Sequence, residues 1–393
     1  MKRSLSVWIV VLLSACEGES TPADAGPDAP ADEATADVPD PPDVTDRPDA
    51  VADVEDLPAD APVDGADVPG DVPGDAEDVE DVPPRVVTCA DEPPPGSPLP
   101  DPLPTYEGTC PTLAPGRNTI TSSGAERQFL LVVPADPGPA ESLPVLFLWH
   151  WLGGDAEGFL EQGEVQAAAD RLRFLAVIPE TKGDLVFKWP YSLLDNDARL
   201  EEELRFFDDL LACVAAQYPV NRNCISSAGV SAGALWTDQL APRRSRILAS
   251  FISLSGGVGV AGDWLNPIRP WVGAEHKLPG IVLWGGPTDF CGITFQTTSR
   301  YLEDALVAGG HFFVECVHNC SHSEPPLVPP AGESKYEAIW AFPLHHPFWL
   351  RPGESPYQVT GLPANLPAWC GIGPDSATIR DGECEGGIFG SCS

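Results

Sequence analysis

Positive charge is scarce in this chain: 22 Lys and Arg stand against 59 Asp and Glu over 393 residues, a formal net charge of −37. An acidic chain repels phosphate backbones, and no Lys/Arg cluster offers the electrostatic footprint that nucleic-acid binding requires, so nucleic acid is excluded as a partner. Long apolar runs are also missing. The N-terminal stretch Ser4 to Leu13 falls far short of the ~20 residues a membrane span needs. Between residues 17 and 84 large apolar side chains nearly vanish, and 23 acids accompany a single base, Arg47. Such a segment cannot bury enough surface to offset its chain entropy. Its phrases of Asp, Ala, Pro and Val, as in Asp67-Val68-Pro69-Gly70-Asp71-Val72-Pro73-Gly74, read as a disordered acidic tether over 17–84, stiffened by Pro and extended by like charge. The Gly-centred ligand spacing of a calcium loop is absent from it.

Residues 1–16 read as an address. Lys2 and Arg3 precede the apolar stretch, and Leu13-Ser14-Ala15-Cys16 ends it with small residues before a cysteine. This resembles a bacterial lipoprotein signal with its lipobox, which implies cleavage before Cys16 and lipidation of that residue. The expectation is an extracytoplasmic protein of the bacterial cell envelope that meets the membrane through a lipid anchor; an ordinary signal peptide or a short membrane helix is the alternative. The cysteine count agrees with an oxidising compartment. Setting Cys16 aside leaves ten of the 11 cysteines, an even set open to full pairing. Connectivity does not follow from spacing; as sequence neighbours, Cys89 with Cys110 and Cys213 with Cys224 are the first pairs to consider.

A globular unit follows the tether, expected as a catalytic domain over 85–346 with a Cys/Pro-rich extension over 347–393 that serves as a disulfide-tied appendage or lid. Short apolar runs bounded by Gly or Pro predict strands over 128–134, 145–150, 174–179, 224–228, 248–254, 281–285 and 312–317. Helical spacing is clearest over 197–218, where Leu200, Leu204, Phe207, Leu210, Leu211 and Val214 recur on one face, and again over 298–307. Strand and helix in alternation predict an α/β fold, a mostly parallel sheet with helices on both faces and function at the carboxyl ends of the strands.

Gly229-Val230-Ser231-Ala232-Gly233 lies directly after one such strand and before a helical stretch. That is the setting of a nucleophile elbow, in which small flanking residues permit a tight turn that projects a Ser hydroxyl above the sheet. A serine needs a base, and the base an orienting acid, in the chain order Ser, acid, His. Asp289 follows the run 281–284 and the loop Gly285-Gly286-Pro287-Thr288, and is preferred to Asp263. His322, in the loop after the strand 312–317, is preferred to His318; His276, His311, His345 and His346 read as packing or surface residues. Cys316, His318, Cys320 and His322 also suggest zinc, but on an extended strand they would span ~20 Å, too far for one tetrahedral site, so no metal and no cofactor is expected. For the oxyanion, the Ala232 N–H and a second donor from the turn His150-Trp151-Leu152-Gly153-Gly154, at Trp151 or Leu152, are the candidates.

These residues, together with Arg127 to Pro134, Trp189-Pro190, Asp208-Asp209 and Ile339 to Phe342 with His346-Pro347, resemble in order and spacing the secreted polyhydroxybutyrate depolymerase and feruloyl esterase group of α/β-hydrolases over roughly 119–348. The resemblance implies the α/β-hydrolase fold and cofactor-free hydrolysis of carboxylic esters, on a polyester or on acyl groups of polysaccharides. Two positions depart from it: Trp151 stands where the group usually has the first Gly of His-Gly-x-Gly-Gly, and Ser321 where Gly commonly precedes the catalytic His. Trp189, Tyr191, Trp236 and Trp264 are candidates for lining an acyl pocket, although such residues are more often core. Two other readings remain open: a serine peptidase of the prolyl-oligopeptidase type, and a non-catalytic binding protein on a hydrolase scaffold.

Overall fold

The computed structural model describes residues 86–136 and 142–384; the expected signal, Cys16 and the tether lie outside the described residues. Nine strands form one sheet in the order β1-β2-β4-β3-β5-β6-β7-β8-β9. The centre is parallel: β4 (Leu175–Pro179), β3 (Leu143–Trp149), β5 (Val220–Val230), β6 (Ser250–Leu254), β7 (Gly280–Trp284) and β8 (Phe313–Val317) run together. Every residue of β3, β4, β6, β7 and β8 is buried, which is why these strands read as continuous apolar runs: a parallel strand covered on both faces has no solvent side to mark with polar residues.

Alternation along a strand sends side chains to opposite layers. From β3, Val145, Phe147 and Trp149 enter one core, which holds Leu200, Leu204 and Phe207 of helix α3 (Asp197–Ala215), Leu235, Trp236 and Leu240 of α4 (Ala232–Arg243) and Leu302 and Leu306 of α5 (Phe295–Gly309). Leu146 and Leu148 enter the other core. There they join Phe159 of α1 (Ala156–Gln162), Val165 and Ala168 of α2 (Val165–Leu172), and Ile339 and Trp340 of α6 (Glu337–Ala341).

The edges were less legible. β1 (Gly116–Ser122) and β2 (Ala125–Val132) form an antiparallel hairpin closed by Ser123 and Gly124, both at positive φ (49° and 76°), the backbone that a two-residue hairpin turn demands. β1 is Gly-Arg-Asn-Thr-Ile-Thr-Ser, with one large aliphatic residue, Ile120, and so lacks the apolar signal on which the other strands were recognised. β9 (Cys370–Ile372) comes from the C-terminal extension and pairs antiparallel with β8, so that segment completes the sheet edge.

The disulfides correct the neighbour pairing. Cys89 bonds Cys224 and Cys110 bonds Cys213, across 135 and 103 residues. Cys89 and Cys224 lie in one core layer, whereas Cys110 and Cys213 pack in the other, so a Cys213–Cys224 bond would have to pass through the sheet. Cys316 bonds Cys370, Cys320 bonds Cys384, and Cys291 is disulfide-bonded as well. Among the described residues no helix is long and apolar enough to cross a membrane.

Candidate active site

Ser231 sits between the end of β5 and the first turn of α4 at φ 54° and ψ −118°, a conformation that L-residues avoid unless their surroundings enforce it. Two glycines make the turn possible. A Cβ on Gly229 would lie 2.1 Å from the Gly233 carbonyl oxygen, and one on Gly233 would lie 2.0 Å from that of Trp149. Only Gly lets β3, β5 and α4 approach this closely. The turn is held from a third strand, where the Ser231 N–H donates to the Leu254 carbonyl at the end of β6 (2.8 Å).

The structure brings the other two preferred residues to this serine. His322 Nε2 lies 2.9 Å from Ser231 Oγ, and His322 Nδ1 lies 2.6 Å from Asp289 Oδ1. Asp289 is fully buried, its second oxygen accepting from the Gly285 N–H (2.6 Å) and from Ser255 Oγ (2.8 Å). Three donors thus surround a desolvated carboxylate, which keeps the anion satisfied. Phe295, at the start of α5, stacks on the His322 ring with centroids 4.2 Å apart and interplanar angle 16°.

The loops carrying the acid and the base are restrained. Cys320, two residues before His322, is tied to Cys384, and Cys291, two residues after Asp289, is also disulfide-bonded. Thr288 Oγ1 and Ser321 Oγ share a hydrogen bond (2.7 Å), and the Ser321 N–H donates to the Gly285 carbonyl (3.1 Å). Ser321 has φ 58°, the conformation in which Gly is favoured, so the site keeps that backbone without the residue. Trp151 differs: it is absent from the positive-φ residues, so its large side chain carries no left-handed strain. Its ring lies over Gly154, where a Cβ would meet it at 2.7 Å, and packs against Phe159.

The rejected alternatives have other occupations. Asp263 accepts from Asn266 and Leu265 in its own loop, and His318 is buried with Nδ1 accepting from the Cys320 N–H; burial pushes its imidazole down to about 4. His276 stacks on Phe348 and His346 hydrogen-bonds Ser355 in the interior. The aromatic candidates divide. Trp189 and Trp236 belong to the core, edge-on to Trp149, and Trp189 Nε1 donates to the His150 carbonyl, supporting the turn that carries Trp151; Tyr191 is buried too. These three are packing residues, the commoner role for such aromatics, whereas Trp264 is 87% exposed.

Sequence reasoning missed Ser255, Thr288 and Phe295, and also Glu180, whose Oε2 lies 3.6 Å from Nε2 of the buried His150 in the same turn. Ser255 carried one signal, its place at a strand end before Gly256-Gly257. The others are ordinary residues that only the fold brings to the site.

Comparison with known proteins gives the same architecture. Native pOPH superposes with a TM-score of 0.57 at 16% identity, over 72% of this chain and 99% of that one, and native sOPH with 0.54 at 18%, over 70% and 99%. No family model matches the sequence. Feruloyl esterase D of Neurospora crassa is 26% identical over 152 residues, 38% of this chain and 52% of that protein, so the chain aligns with about half of this relative. The chain has the α/β-hydrolase fold, with a mostly parallel mixed sheet and disulfides that include C-terminal ones.

Proposed function

We propose that this protein is a serine esterase that hydrolyses carboxylic esters through Ser231, His322 and Asp289. The observation that carries the reading is the unbroken hydrogen-bond chain from Ser231 Oγ through His322 to buried Asp289, set at the carboxyl end of a parallel sheet. With Nδ1–H donating to Asp289, Nε2 is free to accept the Ser231 proton as Oγ attacks the ester carbonyl. His322 then returns that proton to the departing alcohol, and water cleaves the acyl-serine by the same steps in reverse. The Ala232 N–H, at the first position of α4, and an N–H of the turn at Trp151 or Leu152 are the proposed oxyanion donors.

Exposed large apolar side chains lie on loops that follow the strands at the carboxyl end of the sheet: Phe187, Leu193 and Leu194 after β4, Trp264 and Leu265 after β6, and Phe290 directly after Asp289. These loops are joined, the Leu193 N–H donating to the Pro267 carbonyl (2.9 Å) and the Thr294 N–H to Asn266 Oδ1 (2.9 Å). Such a rim favours an apolar ester, of polyester or feruloyl-polysaccharide type, over peptides, and the alignment with feruloyl esterase D points the same way. The N-terminal pattern completes the proposal: cleavage before Cys16, lipidation of that residue, and the acidic tether holding the enzyme off the bacterial envelope. Incorporation of labelled palmitate, lost in Cys16→Ser, tests the anchor.

The catalytic reading is tested with the full-length protein produced under oxidising conditions. Wild type should turn over p-nitrophenyl acetate and butyrate and react with a fluorophosphonate, and Ser231→Ala should lose both, kcat falling by a factor on the order of 10⁶. A folded wild type inert to ester and probe would sink the proposal in favour of a binding protein.

A further inference from the structure

We infer that Ser255 is a positioning residue of this site, its hydroxyl fixing the orientation of Asp289 and tying the acid to the strand end that also holds the nucleophile turn. The inference rests on the esterase reading above and adds a residue to it.

The end of β6 touches both halves of the machinery through consecutive residues. The Leu254 carbonyl accepts from the Ser231 N–H (2.8 Å), and Ser255 Oγ donates to Asp289 Oδ2 (2.8 Å). A displacement of either partner relative to the other must therefore deform one peptide unit. Ser255 is buried and sits at φ 50°, a backbone that a β-carbon disfavours, so its presence there needs a reason beyond space filling. The hydroxyl supplies one: without it Asp289 Oδ2 would keep only the Gly285 N–H, and apart from that bond the carboxylate would be oriented by His322 alone, the residue it has to orient.

Ser255 is itself fixed from several directions. Its N–H donates to the Leu283 carbonyl of β7 (2.6 Å). On either side in sequence, Ser253 Oγ (2.7 Å) and the Gly257 N–H (2.6 Å) both donate to Oδ2 of Asp238, a fully buried residue on α4, the helix that begins at the nucleophile. Thr298 Oγ1 of α5 donates to the Gly256 carbonyl (2.7 Å), and the Val258 N–H to the Thr298 carbonyl (3.0 Å). Helices α4 and α5 thus clamp the segment 253–258, and Ser255 passes that rigidity to the acid.

Ser255→Ala removes only the hydroxyl, and Ser255→Gly, which suits φ 50°, removes it together with the β-carbon and so without backbone strain; the two variants are read together. In the full-length protein, kcat on p-nitrophenyl butyrate should fall about tenfold or more with KM little changed, the loss expected when a hydrogen bond to a buried charge is removed. Removing the hydroxyl dipole also leaves the Asp289 charge less compensated toward His322. The acid limb of kcat/KM should therefore move to higher pH; the buried His318, whose imidazole also feels the Asp289 charge, stays in place in both variants. The low-field proton resonance of the His322–Asp289 hydrogen bond should shift in the same variants, a readout independent of turnover. Retention of wild-type kcat, pH profile and resonance overturns the inference. So does a fall in kcat with limb and resonance unmoved, which would make Ser255 merely structural. A wild type without turnover refutes the esterase reading instead, while the resonance still decides the role of Ser255.

Discussion

Asp238 is fully buried on the helix that begins at the nucleophile, its Oδ2 holding the Ser253 hydroxyl and the Gly257 N–H while Oδ1 has no hydrogen-bond partner. Desolvation pushes its carboxyl up to about 8 from 3.8, against the opposing pull of those two donors. The folded state therefore retains a proton that the unfolded chain releases. This group's contribution to stability is complete below about pH 4 and is lost as pH rises to about 8. Asp238→Asn keeps an acceptor and does not ionise, so the thermal midpoint of the variant should fall less than that of wild type between pH 5 and 8, as followed by circular dichroism. Parallel pH dependence in the two proteins would contradict the assignment. At the same scale, the sequence singled out Ser231, Asp289 and His322, which the fold brings into one hydrogen-bond chain, because each stands at a strand end whose apolar run is visible. It did not identify Ser255 or Phe295, whose partners lie 34 and 27 positions away, at Asp289 and His322, in segments that only folding brings alongside.

The loop that carries His322 has little secondary structure of its own and is held by the Cys320–Cys384 bond to the C-terminal extension. The double variant Cys320→Ser and Cys384→Ser should lower kcat more than it raises KM, because the base loses its restraint while the substrate rim is untouched, and should cost about 2–5 kcal/mol of stability. Steady-state kinetics with denaturant unfolding checks both. By contrast, Cys89–Cys224 ties the segment before β1 to β5 at a position seven residues before Ser231. Its removal should lower stability by a similar ~2–5 kcal/mol and leave kcat of the folded fraction near wild type. The central strands and helices α3 and α5 were legible because burial on both faces, or on one helical face, writes a period into the sequence. The short α1 and α2 lack long enough periods, and β1 and β9 lack apolar runs.

For the whole molecule, the decisive feature is an acidic chain with exposed apolar residues on the loops that follow its central strands. If that rim meets an insoluble ester, Trp264→Ala with Leu265→Ala should reduce release of acid from polyester particles roughly tenfold and leave turnover of soluble p-nitrophenyl butyrate within about twofold, since these side chains lie outside the hydrogen-bonded site. Equal loss on both substrates would show that the pair supports the fold of the site instead. Sequence alone determined the central strands, the longer helices and their alternation, and it singled out Ser231, Asp289 and His322 as candidates, because each rests on a local pattern: a run, a period, a serine between glycines, or a loop after an apolar strand. The tertiary structure decided which layer each cysteine enters, which strand closes the sheet, and which serine steadies Asp289. Those depend on the face or edge of the sheet a side chain meets, and that is set by packing between segments from 34 to 135 residues apart in the chain.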